Sequence, residues 1–564
     1  MNKPPVMPAA PLPAGDAGSN EPAGGVPRPS GSFMGLMGGV WPWLAAALSG
    51  VLLALCMAPW NYGALCWIAL TPLVCAVWFA PETSRAHRRK ALLGYVTGAV
   101  YFSLTFSWLG ALGQLFEQPW LRGLPLLLAL YLGLYLAFWA WFLGKLRDGR
   151  RESFLHSGRN LLTGFLAAAG WVAQEWVRGW LFSGFGWNGL GVALHADLAM
   201  IQIADLTGVA GLSFLVAYCN VLTVIILRRI GAELGPVFLK KVRWEFSLSM
   251  ALVALVFSYG IRSLLAKPSA ATSPLRIAAI QPNIPQSEKF SPESEAHVLE
   301  QLDRLTGLAA TARPQLLLWP ESAVPGGMFS HERMYRFVTQ QLEKGDFSLL
   351  LGTVDSDPQT GEDYNTAALI PPGNPEGLQS YRKIHLVPFG EYMPLRKAFP
   401  LFAMVAGDLV PADFTPGQDH QTLHLTRPRM DLAALVCFED SLGDLTRRFV
   451  KNGAQLLVNL TNDGWFLETA VAEQHLHNAL FRAVENRRPL VRCTNTGMTA
   501  SVDRNGRVDR WLKPFEQGFA VREIAVATQA PLTFYSQHGD WFSVLCSLFC
   551  AGTLVGVLRS RLRR

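Results

Sequence analysis

The chain has 564 residues, too many for one ordinary domain; half are hydrophobic, only 16% are charged, and Trp and Phe number 18 and 32. That balance belongs to a membrane protein and excludes an ordinary soluble enzyme. The net charge of +7 is dispersed in short basic clusters between apolar runs, so it reads as membrane loops and leaves no nucleic-acid footprint.

Residues 1–33 are rich in Pro, Gly, Ala and Ser and nearly lack large apolar side chains, which predicts a disordered tail. They lack the basic start and apolar core of a secretory signal. From Met34 onward, apolar runs follow at 36–57, 63–80, 92–113, 124–144, 161–182, 206–227 and 247–265, with another at 541–558. Each is close to the roughly 20 residues that cross a bilayer, so eight spans are expected. Basic clusters lie between alternate runs: Arg85, Arg88, Arg89 and Lys90; Lys145, Arg147, Arg150 and Arg151; Arg228, Arg229, Lys240, Lys241 and Arg243. A fourth, Arg559, Arg561, Arg563 and Arg564, follows the eighth run, and the other connections carry hardly any basic residue. Both termini are therefore expected in the cytoplasm, with 268–538 on the opposite side of the membrane. The expected domains are a tail (1–33), a seven-span membrane part (34–267), a catalytic domain (268–538) and an eighth span with a basic tail (539–564). In the fifth run Glu175 and Arg178 stand one helical turn apart. They are read as a mutually satisfied pair that fixes span packing, with a functional role as the alternative.

The segment 268–538 reads as α/β. Short apolar runs at 275–280, 315–319, 349–354, 367–370, 432–436, 455–460 and 490–493 predict strands, and 292–311, 332–344 and 471–486 predict helices. Six of the 8 Cys lie in membrane runs, leaving Cys437 and Cys493. No CxxC or Cys/His ligand spacing appears, so a structural zinc is not expected.

The apolar run Leu432 to Val436 stops at Cys437, and Phe438, Glu439 and Asp440 follow at once. A thiol at the end of a buried strand sits where parallel sheets place their chemistry, although a free Cys is more often a small core hydrophobe. Pro320 breaks the strand ahead of Glu321 and presents that carboxylate at a rim. Lys383 precedes an apolar triplet, and Glu391 follows a glycine turn. Together these make a coherent acyl-transfer site. Glu321 would accept the thiol proton, and Lys383 would favour the thiolate and stabilise an oxyanion. Glu391 and Glu439 would hold Lys383 charged and oriented. A histidine base drawn from His385, His475 or His477 is the competing arrangement.

WPES at 319–322, YRKIHLVPFGEY at 381–392 and VCFED at 436–440 resemble the Glu, Lys and Cys motifs of the nitrilase (carbon–nitrogen hydrolase) superfamily. NLTNDGWF at 459–466, Gln474-His475, Arg482-Ala483, ENRRP at 485–489, RCTNTG at 492–497 and TFYSQHGD at 533–540 resemble one branch, the apolipoprotein N-acyltransferases of bacterial envelopes. That resemblance implies eight helical spans with an inserted αββα sandwich, in the bacterial inner membrane with its catalytic domain periplasmic. It implies Glu321 as base, Lys383 as oxyanion stabiliser and Cys437 as nucleophile, supported by Glu391, Phe438 and Glu439. The chain departs from common family residues at Phe290, Phe438 and Gly464. The implied reaction passes an acyl chain from a membrane phospholipid through a Cys437 thioester to the α-amine of an apolipoprotein's diacylglyceryl-cysteine. The partners are then phospholipid, apolipoproteins and the bilayer, and no metal or cofactor is called for; the chain itself is expected to be a monomer. A membrane-tethered amidase acting on a small soluble substrate is the alternative, and a transporter with a ligand-binding outer domain is another.

Residues 396–417 combine an apolar middle with Pro400, Gly407, Pro411 and Pro416, which argues against regular structure. The expectation is a lid through which Phe399 and Phe402 dip into the bilayer, against a loop folded over the domain's own core. Phe290 and Trp465 are further candidate substrate contacts.

Overall fold

A computed structural model describes residues 33–81, 85–147, 151–232, 238–267, 270–289, 291–329, 331–394 and 413–562. The chain forms two units, Met1–Trp41 and Pro42–Arg564. In the first, only the opening of helix Phe33–Leu55 is described; everything below concerns the second.

Each of the eight apolar runs meets helix. Four of the described helices, Pro119–Leu146, Val209–Ile230, Arg243–Leu265 and Trp541–Arg559, are long and apolar enough to cross a bilayer. A fifth candidate is the pair Ala86–Thr105 and Ser107–Leu115, bent by 54°. Length and composition therefore support four or five spans where the sequence pattern predicts eight. The shortfall has local causes. The second run breaks into a turn, Gly63–Trp67, and a short helix, Thr71–Phe79. The fifth, Ser157–Arg178, carries Arg159, Asn160, Gln174, Glu175 and Arg178, which lower its apolarity while its neighbours bury it.

Twelve strands form the α/β part among the described residues: β1 (Thr272–Gln281), β2 (Leu316–Leu318), β3 (Ser348–Ser356), β4 (Asp363–Ile370), β5 (Gln379–Arg382), β6 (Leu423–Thr426), β7 (Arg429–Val436), β8 (Leu456–Thr461), β9 (Leu490–Thr494), β10 (Ala500–Val502), β11 (Val508–Arg510) and β12 (Gly518–Ala527). They make two six-stranded sheets, ordered β12-β1-β2-β3-β4-β5 and β11-β10-β9-β8-β7-β6. In each, the centre is three parallel strands, β1–β2–β3 and β7–β8–β9, with antiparallel strands outside. The sheets face each other, β1 against β9, β3 against β8 and β4 against β7. Helix Glu295–Ala310 covers β1 and β12; helices Gly443–Lys451 and Val471–Asn486 cover β7 and β9. This is an αββα sandwich. Its central strands are buried on both faces, which is why they read as unbroken apolar runs.

One helix departs from the soluble-domain expectation. Val471–Asn486 is rich in polar residues, yet every residue in it but Glu473 is buried. It lies between its sheet and the apolar-run half of the protein. Gln474 Nε2 donates to the Ala58 and Thr105 carbonyls at 2.8 and 2.9 Å, and its Oε1 accepts from Trp108 Nε1 at 3.1 Å. Asn478 exchanges hydrogen bonds with Asn188, and Glu485 accepts from the Val209 N–H at 3.3 Å. Nearby, Arg487 pairs with Asp205 at 2.6 Å. The polar face is thus satisfied by partners from the membrane half instead of by water.

Candidate active site

Two strand ends of the parallel centres, after β2 and β7, meet the end of the antiparallel edge strand β5 at one place. After β2, Trp319 still bonds to β3, its N–H reaching the Leu350 carbonyl at 2.9 Å, and Pro320 then ends the ladder. The turn closes on Gly352: the Gly352 N–H donates to Pro320 at 3.2 Å, and Ala323 donates to Gly352 at 2.8 Å. A Cβ on Gly352 would lie 2.5 Å from the Glu321 Cα and 2.8 Å from the Pro320 oxygen, so only glycine lets β3 pass so close. The Glu321 carboxylate accepts from Asn365 Nδ2 at 2.8 Å and from the Asn462 N–H at 3.0 Å. Burial pushes its pKa up; Glu391 adds to this and Lys383 opposes it.

Lys383 follows β5 and keeps its register with β4 by donating its N–H to the Asn365 carbonyl at 2.7 Å. Its side chain is fully buried, with Nζ 2.8 Å from Glu391 Oε2, 2.9 Å from Glu391 Oε1 and 3.8 Å from Glu321 Oε1. Burial works against the ammonium, but Glu391 and Glu321 outweigh it and hold the pKa above the ordinary lysine range. Glu391 is itself fixed by the Val387 N–H at 2.7 Å and by Asn365 Nδ2 at 2.7 Å. One amide, Asn365, thereby bridges the two carboxylates. The sequence offered no sign of it, because it sits mid-strand in an ordinary β pattern.

Cys437 follows β7 in a left-handed conformation, φ +52°, as the chain turns into the short helix Cys437–Ser441. A non-glycine residue held there costs roughly 1–2 kcal/mol. Asn459 Nδ2 braces the turn by donating to the Cys437 carbonyl at 2.8 Å. Burial pushes the thiol pKa well above its ordinary value. Glu321 adds to that rise, while Lys383 and a hydrogen bond with Thr461 oppose it. The thiol therefore rests protonated, with base and cation close enough for both charges to act on it.

The supporting residues divide their work differently from the sequence expectation. Glu391 grips Lys383, whereas Glu439 makes no hydrogen bond to it and only its charge favours the ammonium. Instead Glu439 Oε1 accepts from Tyr381 OH and from the Ile384 and His385 N–H groups at 2.8, 2.8 and 3.0 Å, and its Oε2 accepts from the Val436 N–H at 2.9 Å. Glu439 thus ties the Cys437 strand end to the Lys383 segment by backbone. Phe438 stacks on Trp187 and Phe185, with centroids 5.5 and 6.1 Å away, and on His385 at 5.8 Å.

Of the histidines, His475 is removed as a base for Cys437. Its Nδ1 is 2.9 Å from Asp463 and its Nε2 2.8 Å from Asp440. Burial opposes its charge, but the two aspartates outweigh burial and push its pKa up to about 9, so neither nitrogen is open to a proton. Arg492 pairs with Asp440 in the same buried cluster, which locks the turns after β7 and β8 together. His477 stacks on His195 with centroids 3.6 Å apart. His385 lies beside the site with Nε2 buried and unpartnered, and burial and Lys383 lower its pKa. Cys493 is wholly buried between the sheets, its Sγ near the Ile280 and Leu318 carbonyls, and burial pushes its thiol up.

Trp465 stacks on Phe116 at 6.3 Å, in the contact with the membrane half. Phe290, Phe399 and Phe402, and with them most of the expected lid, lie outside the described residues. Glu175 and Arg178 correct a further expectation, since they make no ion pair with each other. Glu175 Oε1 accepts from the Leu190 N–H at 2.7 Å and from Trp171 Nε1 at 2.8 Å, while Arg178 Nη1 donates to the Trp187 carbonyl at 3.1 Å. Side chains one turn apart on a helix can both lean toward a loop, and here both hold the one that carries Trp187 to Phe438.

Most of the chain is similar to known proteins. Residues 276–532 match the carbon-nitrogen hydrolase family, and residues 49–222 match the apolipoprotein N-acyltransferase N-terminal domain. An apolipoprotein N-acyltransferase of Geobacter metallireducens is 35% identical over 89% of this chain and 93% of its own length. One from Methylococcus capsulatus is 33% identical over 92% of this chain and 96% of its own. Among solved structures, Saccharomyces cerevisiae Nit3, a member of branch 10 of the nitrilase superfamily, matches with 16% identity and TM-score 0.35, covering 46% of this chain and 92% of that one.

Proposed function

The chain belongs to the apolipoprotein N-acyltransferase family, and on that footing we propose that it passes an acyl chain from a membrane phospholipid to the α-amine of an apolipoprotein's N-terminal diacylglyceryl-cysteine. The observation that carries this is the convergence of Glu321, Lys383 and Cys437 at strand ends of two facing sheets.

Glu321 takes the Cys437 proton as Sγ attacks the sn-1 ester carbonyl. A carboxylate raised by burial is matched to that proton, and it would be too weak a base at its ordinary pKa. Lys383 stabilises the oxyanion that forms. Collapse breaks the ester C–O bond, and the departing lysophospholipid oxygen recovers the proton from Glu321. The apolipoprotein amine then attacks the thioester, Glu321 accepts the amine proton, and the Cys437 sulfur leaves and is reprotonated. Phe438, stacked on Trp187, keeps one wall of the site apolar.

Intact-mass analysis of the purified protein mixed with phospholipid tests the reading. It should show one added acyl mass on Cys437 that neutral hydroxylamine removes. An adduct mapped to Cys493, or none under turnover, would overturn it. The relatives favour acyl transfer over a membrane-tethered amidase, and hydrolysis of water-soluble amides by 268–538 without lipid would favour the amidase instead.

Eight spans with cytoplasmic termini and a periplasmic catalytic domain remain the topology we propose, from the alternation of basic and nonbasic connections. Reporter fusions after Arg150 and after Ser291 should give opposite compartment signals, and matching signals would break it. The Glu321 turn supplies a further test. Gly352→Val should push Glu321 off its position and slow thioester formation about 100-fold, the order expected for a misplacement of about 1 Å. An unchanged rate would show that the turn can yield.

A further inference from the structure

Glu321 and Glu391 share the Lys383 ammonium in a site where both carboxylates are buried or nearly so. A second ammonium reaches the Glu321 turn. Lys289 ends the short helix Gln286–Lys289, its side chain is buried, and its Nζ donates to the Glu321 carbonyl at 2.8 Å. The same helix is stitched to the other flank of Glu321. Gln286 Oε1 accepts from Asn462 Nδ2 at 2.8 Å, and the Asn462 N–H is the one that holds Glu321 Oε2.

We propose, on the basis of the acyl-transfer reading above, that Lys289 is a second cation of this site. As a positioning residue it holds the Glu321 turn by its carbonyl and favours the negative charge that passes between Glu321, the Cys437 sulfur and the reacting carbonyl oxygen. The titratable groups that face Lys289 are Glu321, on the turn after β2, and Cys437, at the end of β7; Glu321 is influenced in turn by Lys383 and Glu391. Burial brings the Lys289 pKa down to about 8, with Glu321 and Cys437 opposing the fall. Lys383 is shifted the other way and stays charged through the same range. The site therefore has two cations at neutral pH and one in mildly alkaline solution. Its competence should fall as pH rises through the Lys289 transition, because a lysine is charged below its pKa and neutral above it.

The test uses the full-length protein with phospholipid as acyl donor and follows acyl-enzyme formation from about pH 6 to 9.5 in the wild type, Lys289→Met and Lys289→Arg. Lys289→Met should form the thioester about 10- to 100-fold more slowly at neutral pH, less than the loss of a direct oxyanion donor. Its dependence on phospholipid concentration should stay near that of the wild type. The wild-type rate should decline above about pH 8, and Lys289→Arg should lose that decline whatever its absolute rate, since guanidinium stays charged. A wild-type rate in Lys289→Met, or the same alkaline decline in Lys289→Arg, overturns the assignment. A parallel arm measures Cys437 alkylation by iodoacetamide, which needs no acyl transfer. Alkylation should slow about tenfold in Lys289→Met and much less in Lys289→Arg, because only the thiolate reacts. If the wild type forms no thioester, the acyl-transfer reading fails while this arm still judges Lys289; equal alkylation in all three proteins overturns the Lys289 role.

Discussion

Cys437→Ala should abolish the acyl-enzyme and reduce acyl transfer by roughly a millionfold, the order seen when the nucleophile of a covalent mechanism is deleted. The protein should remain folded. Alanine accepts the same left-handed turn at a similar cost, and the turn is braced by Asn459 through the main-chain carbonyl of Cys437, which the substitution keeps. The second thiol of the α/β part cannot substitute, because Cys493 is buried between the sheets, directed at the Ile280 and Leu318 carbonyls, with its pKa raised by burial. Intact mass after mixing with phospholipid, together with product analysis on an apolipoprotein acceptor, provides the check. Residual transfer within about tenfold of the wild type would mean that the acyl chain moves directly from donor to amine, and the thioester route would be lost.

Glu321→Gln and Lys383→Met should each slow thioester formation by about 100- to 1,000-fold, equivalent to about 2.7–4 kcal/mol of transition-state stabilisation. The two losses should differ in kind. Glutamine keeps one acceptor oxygen, for Asn365 Nδ2 or for the Asn462 N–H, and loses the other together with the proton acceptor, while the contacts of the Glu321 backbone stay. Methionine at 383 leaves Glu391 and Glu321 facing each other in a dry site without their shared cation, so Glu321 should keep its proton to higher pH. The Lys383→Met rate should therefore recover partly as pH rises, whereas Glu321→Gln should stay slow at every pH. Burst measurements across pH distinguish the two. A near-normal burst in Glu321→Gln would return attention to His385, the one histidine of the three that lies beside the site with a nitrogen unpartnered.

Much of this protein is legible without coordinates. Strands β1, β2, β3, β7, β8 and β9 are buried on both sides, so apolar runs with a definite end announce them, and those ends carry Glu321 and Cys437. Pro320 marks the first of these ends because proline cannot continue a ladder. Burial favours apolar side chains wherever the chain is surrounded, and that preference is local and readable. The short strands β5, β6, β10 and β11 and the half-exposed β12 escaped because three or four residues are too few to set such a pattern, and a partly wet face breaks it.

What the tertiary structure decided is the pairing of polar groups far apart in the chain. Asn365 joins Glu321 to Glu391 only because β4 lies between β3 and β5 in register. Glu439 binds backbone where the sequence suggested Lys383, since the turn after β7 aims its carboxylate at the Ile384 and His385 N–H groups. Glu175 and Arg178, a natural pair by helical spacing, each grip the Trp187 loop instead. Helix Val471–Asn486 shows the limit most clearly. Its composition matches a water-facing helix, yet it is buried because the membrane half partners Gln474, Asn478 and Glu485 while the α/β part partners His475 and Arg482. Sequence reports how much a side chain avoids water; which distant group replaces that water is set by sheet register and by the packing of two halves that no local pattern encodes.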